Sequence, residues 1–592
     1  MSNDRKLYEK RLDSQHREIR ILTLKGGDYH DELSCVLEVI SLNDAPQYEA
    51  LSYVWGPTDD AQNIRVNDKT IKVTRYLDVA LRYLRHPTTD RTLWIDAICI
   101  NQTDVTERNS QVTFMGDIYR SANHVLIWLG EADAESDLAF DLMPSIDINF
   151  IESREKEASQ VWSFFYNATQ RPYMSRVWVI QEFVLAEKDP IVLCGHKHAL
   201  WSTFMSAYKT LALEFFTQID MVNEAEAAGQ PPTVLAKLRY DLFDELRTTI
   251  NRDGGADLRQ LLIMSRSSRS TEPRDRIYGL LQMLEVEDRM YFSVDYSKPI
   301  AIIYAEAMAL IFKQGDGPFF LAGLWCPSKA NPSMPNLPSW VPDFTSQTAD
   351  LASPVPSPIS FWPASPKSVS GAGAGADNGE VLKDFQTLKI EVLPVDVITD
   401  VLHFENTVDK CLQQLEEIEK RAMAAKTLTI VGDDDKLRPF IEKFRSSEPL
   451  WRTLVSNKSY KSGYKVAPDA YEAIYNNLRH HSQQQIDCPS PNSATISSEY
   501  YRALETHLPK RTFFTTKCGF IGIGMPAVRE GDEVTIWFGA TTPFITRPTS
   551  PEQDGAKCVL IGAAYVAGIM EGEMVDGLYC EDLLASKTLF VT

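Results

Sequence analysis

The sequence predicts an α/β N-terminal domain built on a parallel sheet, followed by a helical region and a β-rich C-terminal region. Three observations carry that prediction. Through residues 1–205, apolar strand-like runs alternate with amphipathic helical patterns, as when parallel strands are joined by helical crossovers. Residues 206–345 then read as mainly helical, with Val234–Ile250 and Ile300–Phe312 the clearest stretches. From residue 381, short strand-like runs are separated by turn signals such as Arg529-Glu530-Gly531-Asp532, the pattern of a mostly β unit.

Taken in order, Ala50–Trp55 is an apolar run ended by Gly56-Pro57, a strand followed by a turn. Leu77, Ala80, Leu81 and Leu84 recur at helical spacing. Thr92–Ile100 is nearly all apolar, as expected of a strand covered on both faces. Glu107–Ala122 predicts a helix whose stripe is Val112, Met115, Tyr119 and Ala122. His124–Leu129 is a third strand closed by Gly130, and Val161, Trp162, Phe164 and Phe165 mark another helix. The apolar stretch Arg176–Leu185 precedes a fourth strand, Ile191–Cys194. Residues 346–380 are rich in Pro, Gly and Ala and predict a flexible linker. Beyond it, Thr387–Leu393, Arg511–Thr516, Phe520–Gly524, Glu533–Phe538, Pro543–Thr546 and Lys557–Gly568 read as strands. A helical insert over 405–510 interrupts them.

Composition narrows the function. At roughly 150 residues per domain, 592 residues suggest about two to four domains. Hydrophobic residues at 44 % and charged residues at 24 % are ordinary globular values, which excludes disordered, collagen-like and disulfide-stapled chains. The formal net charge is −21, against a protein that grips phosphate backbones, so no nucleic-acid partner is expected. A small anionic ligand would then need a local basic pocket, for which Arg120, Arg171 and Arg176 are the nearest candidates. Nine cysteines without a Cys-x-x-Cys pair read as reduced thiols, consistent with a cytoplasmic location. The charged segment Met1–Arg20 lacks a secretory pattern, and no run of ~18 apolar residues predicts a membrane span.

Standard catalytic motifs are mostly missing: there is no Gly-x-Ser-x-Gly, Walker A or His-Glu-x-x-His. Gly519-x-x-Gly522-x-Gly524 has the wrong glycine order for a dinucleotide loop and reads as tight strand packing. His196-Lys197-His198 lacks an evident third ligand, so no metal is predicted. The informative polar residues lie among apolar neighbours. Asp96 stands near a predicted strand end with Asn101-Gln102 beyond it, where open parallel sheets bind ligands. It either lines such a site or caps a turn or pairs with an internal Arg. Glu182 and Gln181 are the only polar residues from Val177 to Ala186. A carboxylate there is either functional or held in an ion pair by a neighbour such as Arg120 or Arg176. Tyr53 and Trp55 either stack on a flat base or belong to the core. Arg266, Arg269, Arg274 and Arg276 surround Asp275, and Asp/Arg pairing there is expected to order a turn before a helix at Ile277–Leu284. Leu337–Asp343 reads as a rigid strap over the preceding domain.

Tyr48–Gly56 (YEALSYVWG), Leu93–Gln102 (LWIDAICINQ) and Arg176–Ala186 (RVWVIQEFVLA) occur in the order that resembles the fungal heterokaryon incompatibility (HET) domain family. Glu107–Gly130, Pro273–Leu281, Leu337–Phe344 and Gly531–Glu573 fit the same pattern. The resemblance implies a role in fungal non-self recognition and regulated cell death. HET domains are in turn similar to TIR domains, flavodoxin-like modules that self-associate and in several cases cleave NAD+. The block Trp178-Val179-Ile180-Gln181-Glu182-Phe183 resembles the TIR segment that carries the catalytic glutamate. This second likeness implies Glu182 as catalytic residue, with Tyr53, Trp55, Asp96 and Asn101 as the residues around NAD. NAD would be a substrate, and no cofactor is required. An active oligomer and an unknown protein partner are implied as well. The alternative is a non-enzymatic signalling or scaffold module acting through protein–protein interaction.

Overall fold

In the computed structural model the chain forms two compact units, residues 1–298 and 299–592. The described residues are 7–57, 59–217, 233–266, 268–323, 334, 336–345, 379–428, 437–459, 466–482, 495–549, 556–579 and 583–592. The predicted linker, except residues 379 and 380, lies outside them, as do Cys326, Cys488 and Cys580. The six described cysteines are free thiols.

The first unit is built on a nine-stranded sheet. Its strands are β1 (Glu18–Leu24), β2 (Ser34–Ser41), β3 (Glu49–Ser52), β4 (Ala61–Val66), β5 (Lys69–Thr74), β6 (Arg91–Trp94), β7 (His124–Trp128), β8 (Ile191–Cys194) and β9 (Lys197–Leu200). They run in the order β5-β4-β2-β1-β6-β3-β7-β8-β9. The predicted parallel sheet is therefore corrected to a mixed one. Its centre, β6-β3-β7-β8, is parallel, and β2 meets β4 in a short parallel contact. The β1–β2, β1–β6, β4–β5 and β8–β9 pairs are antiparallel. β4 and β5 alternate buried and exposed residues, so neither gives the continuous apolar run that marks a doubly covered strand. Their two-residue turn places Asn67 at φ 53°, the conformation a tight hairpin requires.

Within the parallel centre the strands stand in the order second, first, third, fourth. That reversal is the topological switch of doubly wound sheets, and ligands bind there beyond the carboxyl ends of the strands. Around the sheet lie α1 (Arg75–Leu84), α2 (Asp96–Cys99), α3 (Val105–Ser121), α4 (Ala134–Leu142), α5 (Ile148–Ser153), α6 (Glu155–Gln170), α7 (Trp178–Val184) and α8 (Trp201–Thr217). Asp104 caps α3 by accepting from the backbone amides of Thr106 and Glu107, which satisfies donors the helix leaves open. Two predicted strands end early. Ala50–Trp55 is a strand only to Ser52, and Thr92–Ile100 only to Trp94, after which Asp96 opens α2. The predicted helix Ile277–Leu284 begins at Asp275 and breaks into Asp275–Tyr278 and a 3-10 turn, Leu281–Met283.

In the second unit, helix Ile300–Lys313 is buried on most of its surface. The Leu337–Asp343 strap is fixed within this unit: Trp340 packs on Phe312 and donates to the Gln386 carbonyl at 3.2 Å. The strands are β10 (Glu380–Val381), β11 (Leu388–His403), β12 (Thr512–Thr516), β13 (Ile521–Gly524), β14 (Glu533–Trp537), β15 (Phe544–Pro548), β16 (Ala556–Ala563), β17 (Tyr565–Val566) and β18 (Lys587–Val591). β11 is long enough to pair with β18, β14 and β12 in turn. The path β11-β14-β15-β16-β18 returns to β11 and closes a barrel, which removes the edge strands of that ring. Leu393, Val534, Ile536 and Ile545 fill its core. The predicted helical insert is present in the described parts of 405–510, where Ile418, Trp451, Tyr471 and Tyr500 pack with Phe513 and Ile521.

The glycine motif is a packing device. A side chain on Gly522 would strike the Phe514 ring and sit 2.6 Å from the Tyr565 carbonyl oxygen. Gly568, at φ +84°, faces the Phe444 carbonyl, which any Cβ would overlap. Gly568→Ala is therefore expected to destabilise the second unit by about 2–3 kcal/mol through strain and overpacking. Urea denaturation followed by exchange of β13 and β17 amides checks this, and an unchanged midpoint would contradict it. Among the described residues, no helix is long and apolar enough to cross a membrane.

Candidate functional site

The carboxyl ends of β3 and β6 deliver the polar residues. Ser52 is the last residue of β3, Tyr53 and Trp55 follow it, and Asp96 lies two residues beyond β6. α7 packs against β3 and β7 and brings Glu182 over the end of β3. There Ser52 Oγ donates to Glu182 Oε2 at 2.5 Å and lies 2.8 Å from the Tyr173 hydroxyl. Tyr119 of α3 stands beside the Glu182 side chain, and its hydroxyl donates to the Leu51 carbonyl oxygen at 3.1 Å. Glu182 is 1 % exposed and Asp96 8 %.

Asp96 is tied down separately. It accepts the indole N–H of Trp55 at 2.7 Å and the Ala97 amide at 2.7 Å. Trp55 is 37 % exposed, so its ring is an anchored aromatic surface at the rim. Arg176 donates to the Tyr53 carbonyl oxygen and makes no ion pair with either carboxylate. The ion-pair reading of Glu182 is thereby replaced by a neutral donor, Ser52. Arg120 instead pairs with Asp117 at 2.9 Å. Arg171 donates to the Leu129 carbonyl at 2.9 Å. Only Arg176 of the three proposed basic residues stands by the carboxylates.

The electrostatics follow from burial. Burial pushes the Glu182 carboxyl up to about 7; the Arg176 charge opposes this, and the Asp96 charge adds to it. Burial also raises Asp96, against Arg176 and the Trp55 hydrogen bond. On Arg176, burial disfavours the charge, but Glu182 and Asp96 outweigh it and hold the guanidinium above its ordinary value. Tyr53 is 2 % exposed, and its hydroxyl has no hydrogen-bond partner among the described residues.

The structure thus gathers Glu182, Asp96, Tyr53 and Trp55 at one strand end. No hydrogen bond brings Asn101 to them: its Oδ1 accepts from the Thr103 hydroxyl at 2.8 Å, and its backbone N–H donates to Glu107 at 2.7 Å. Ser52, Tyr119 and Tyr173 escaped the sequence reading. Tyr119 fits a helix stripe and Ser52 an ordinary strand position, while Tyr173 carries no local signal. His196, between β8 and β9, packs against Tyr83 with ring centroids 4.5 Å apart and the planes tilted by 51°. Among the described residues no group of three or more metal-ligating side chains forms. The basic loop is ordered otherwise than predicted: Arg274 pairs with Glu272 at 2.6 Å, and Arg276 donates to the Ser265 and Ser268 carbonyls.

Residues 48–182 match the family model for heterokaryon incompatibility protein (HET). Residues 430–584 match the model for the Het-6 beta-barrel domain. The heterokaryon incompatibility protein 6, OR allele, of Neurospora crassa is 24 % identical over 96 % of this chain and 96 % of its own. No solved structure matches the chain significantly.

Proposed function

We propose, from the premise that this chain belongs to the heterokaryon incompatibility (HET) family and carries a Het-6 barrel, that it is a fungal non-self recognition and cell-death effector whose first unit hydrolyses NAD+. The observation that carries this reading is the buried Glu182 at the carboxyl end of the central strand, beside Asp96 and the unpartnered Tyr53 hydroxyl. In the reaction the bond between the ribose C1′ and the nicotinamide nitrogen breaks. Its electron pair goes to the ring and cancels the ring's positive charge. Nicotinamide leaves without protonation, so a single carboxylate can serve by stabilising the oxocarbenium-like ribose. Water then adds at C1′ and releases its proton, giving ADP-ribose. Tyr53 offers its hydroxyl to the ribose, and Trp55 offers a stacking face. Arg176 supplies the positive charge that an acidic protein needs to hold an anionic dinucleotide. Self-association of the chain would bring two or more such units together.

A second reading rests on a specific observation: at 1 % exposure, Glu182 is sealed in this conformation. In that reading the protein signals through a protein partner without turnover. Nicotinamide release from NAD+ by the full chain separates the two. The expected result is turnover that falls at least ~100-fold in Glu182→Gln, the scale on which losing a transition-state contact acts. No release at any protein concentration, with cell killing retained in the variant, would establish the second reading.

A further inference from the structure

The family match ends at Glu182, yet the segment that leads into α7 is clasped by residues 80–120 positions later. The Val177 amide donates to the Arg269 carbonyl at 3.0 Å, and the Arg269 amide returns a bond to the Ser175 carbonyl. This forms a short parallel bridge at Arg176 and Arg269. Next to it, Asp275 takes the Tyr296 hydroxyl at 2.7 Å, and the indole of Trp178, the first residue of α7, stands beside its carboxyl and favours the charged form. Arg108 lies 4.3 Å above the Tyr296 ring, and the Asn109 side chain accepts the Tyr296 amide at 3.4 Å. Gln282 donates to the Thr113 carbonyl at 2.9 Å, and a side chain on Gly116 would meet it. All these residues lie in the first unit. The Trp178–Asp275–Tyr296 chain therefore ties the start of α7 to α3, the two helices that supply Glu182 and Tyr119.

We propose that Asp275 is a positioning residue of the Glu182 site: through Trp178 and Tyr296 it fixes α7 so that the Glu182 carboxyl meets Ser52 out of contact with water. This rests on Glu182 being the functional carboxyl. The groups facing Glu182 are Arg176, Asp96, Tyr53, Tyr119 and Tyr173, and of these Arg176 also forms the bridge to Arg269. Those facing Asp275 are Trp178, Tyr296, Glu272 and Arg108. The clasp can thus alter Glu182 by moving it or by moving Arg176, and the two differ in sign: losing the Arg176 charge would raise the Glu182 carboxyl, whereas water entry lowers it. It also means that the functional module reaches at least to Tyr296, well past both the family match and the boundary at residue 205 suggested by sequence.

The test reads the titration of Glu182 in the full chain. Unfolding free energies are compared with and without Glu182→Gln across pH 4 to 9, in wild-type, Asp275→Ala, Asp275→Asn and Tyr296→Phe backgrounds. The pH midpoint of each difference reports the Glu182 carboxyl. In Asp275→Ala water should reach that carboxyl, and the midpoint should fall by about one unit or more toward the ordinary carboxyl value. Asparagine can still accept the Tyr296 hydroxyl, so Asp275→Asn should restore the midpoint. Tyr296→Phe, which keeps its ring under Arg108, should give a smaller fall and serves where Asp275→Ala does not fold. Variants that lose stability equally at every pH, with the midpoint unmoved, would overturn the proposal. Absence of nicotinamide release would instead sink the NAD+ reading and leave the midpoint result standing.

Discussion

Replacing Glu107 with Ala should destabilise the first unit by ~3–5 kcal/mol, because it breaks a buried ion pair from one side. Arg20 is 2 % exposed and Glu107 9 %. They meet twice, Nη1 to Oε1 at 2.6 Å and Nη2 to Oε2 at 3.1 Å. Arg20 also donates to the Cys99 carbonyl at 3.1 Å, and Glu107 also accepts the Asn101 amide at 2.7 Å. One pair thus ties β1 to α3 and to the loop after Asp96. Without Glu107 the guanidinium stays buried with the Cys99 and Lys10 carbonyls and the Tyr8 ring but no opposite charge, and its desolvation is no longer offset. The double variant Arg20→Met with Glu107→Leu should recover most of the loss, since apolar groups of similar size replace the charges. The chain has two units, so one global transition is a poor readout. Exchange of β1 and α3 amides under native conditions reads the loss locally. A cost below ~1 kcal/mol would show that the pair behaves as a solvated surface bridge.

Glu182→Gln should make the protein more stable at neutral and alkaline pH, while under the proposed NAD+ reading it lowers nicotinamide release. The folded state holds this carboxyl at about 7 instead of the usual 4.5. A raised carboxyl binds its proton more tightly in the folded state. Its stabilising contribution is therefore fully present below 4.5 and is lost as pH rises through about 7. The shift corresponds to about 3 kcal/mol. Glutamine has nearly the same shape, can accept from Ser52 and does not titrate. The stability of Glu182→Gln relative to wild type should then climb by about that amount between pH 4.5 and 8. Native-state exchange of β3 and α7 amides at four or five pH values measures it, and a flat difference would mean that Glu182 is hydrated in the folded protein. A gain in stability on removing a functional group is what a destabilised site predicts.

What was legible in the sequence had local causes. Ile191–Cys194 is a strand because four apolar residues sit between two turns. Ile300–Lys313 is a helix because a long apolar stretch starts after Pro299 and ends before Gly315. β1, β2, β4 and β5 were not legible: β4 and β5 keep one face in water, and their alternating polar residues resemble a surface loop. The early ends of β3 and β6 were hidden because apolar residues continue past Ser52 and Trp94 into buried turns, where hydrophobicity no longer reports backbone conformation.

The candidate site divides in the same way. Sequence alone determined the conspicuous members: Glu182 and Asp96 are carboxylates among apolar neighbours, and such positions are costly unless used or paired. It also determined the free thiols and the need for a basic group in an acidic chain. Tertiary structure decided what those carboxylates touch. Ser52, Tyr119 and Tyr173 are 130, 63 and 9 positions from Glu182 in the chain, and Asp275 acts from another 93 positions on. No spacing rule links residues on a strand, two helices and a loop. Their meeting depends on the reversal of strand order at β3, which is a property of the assembled sheet. Burial, which sets the charge state of Glu182, arises from that same assembly, so its chemistry is fixed only once the chain has folded.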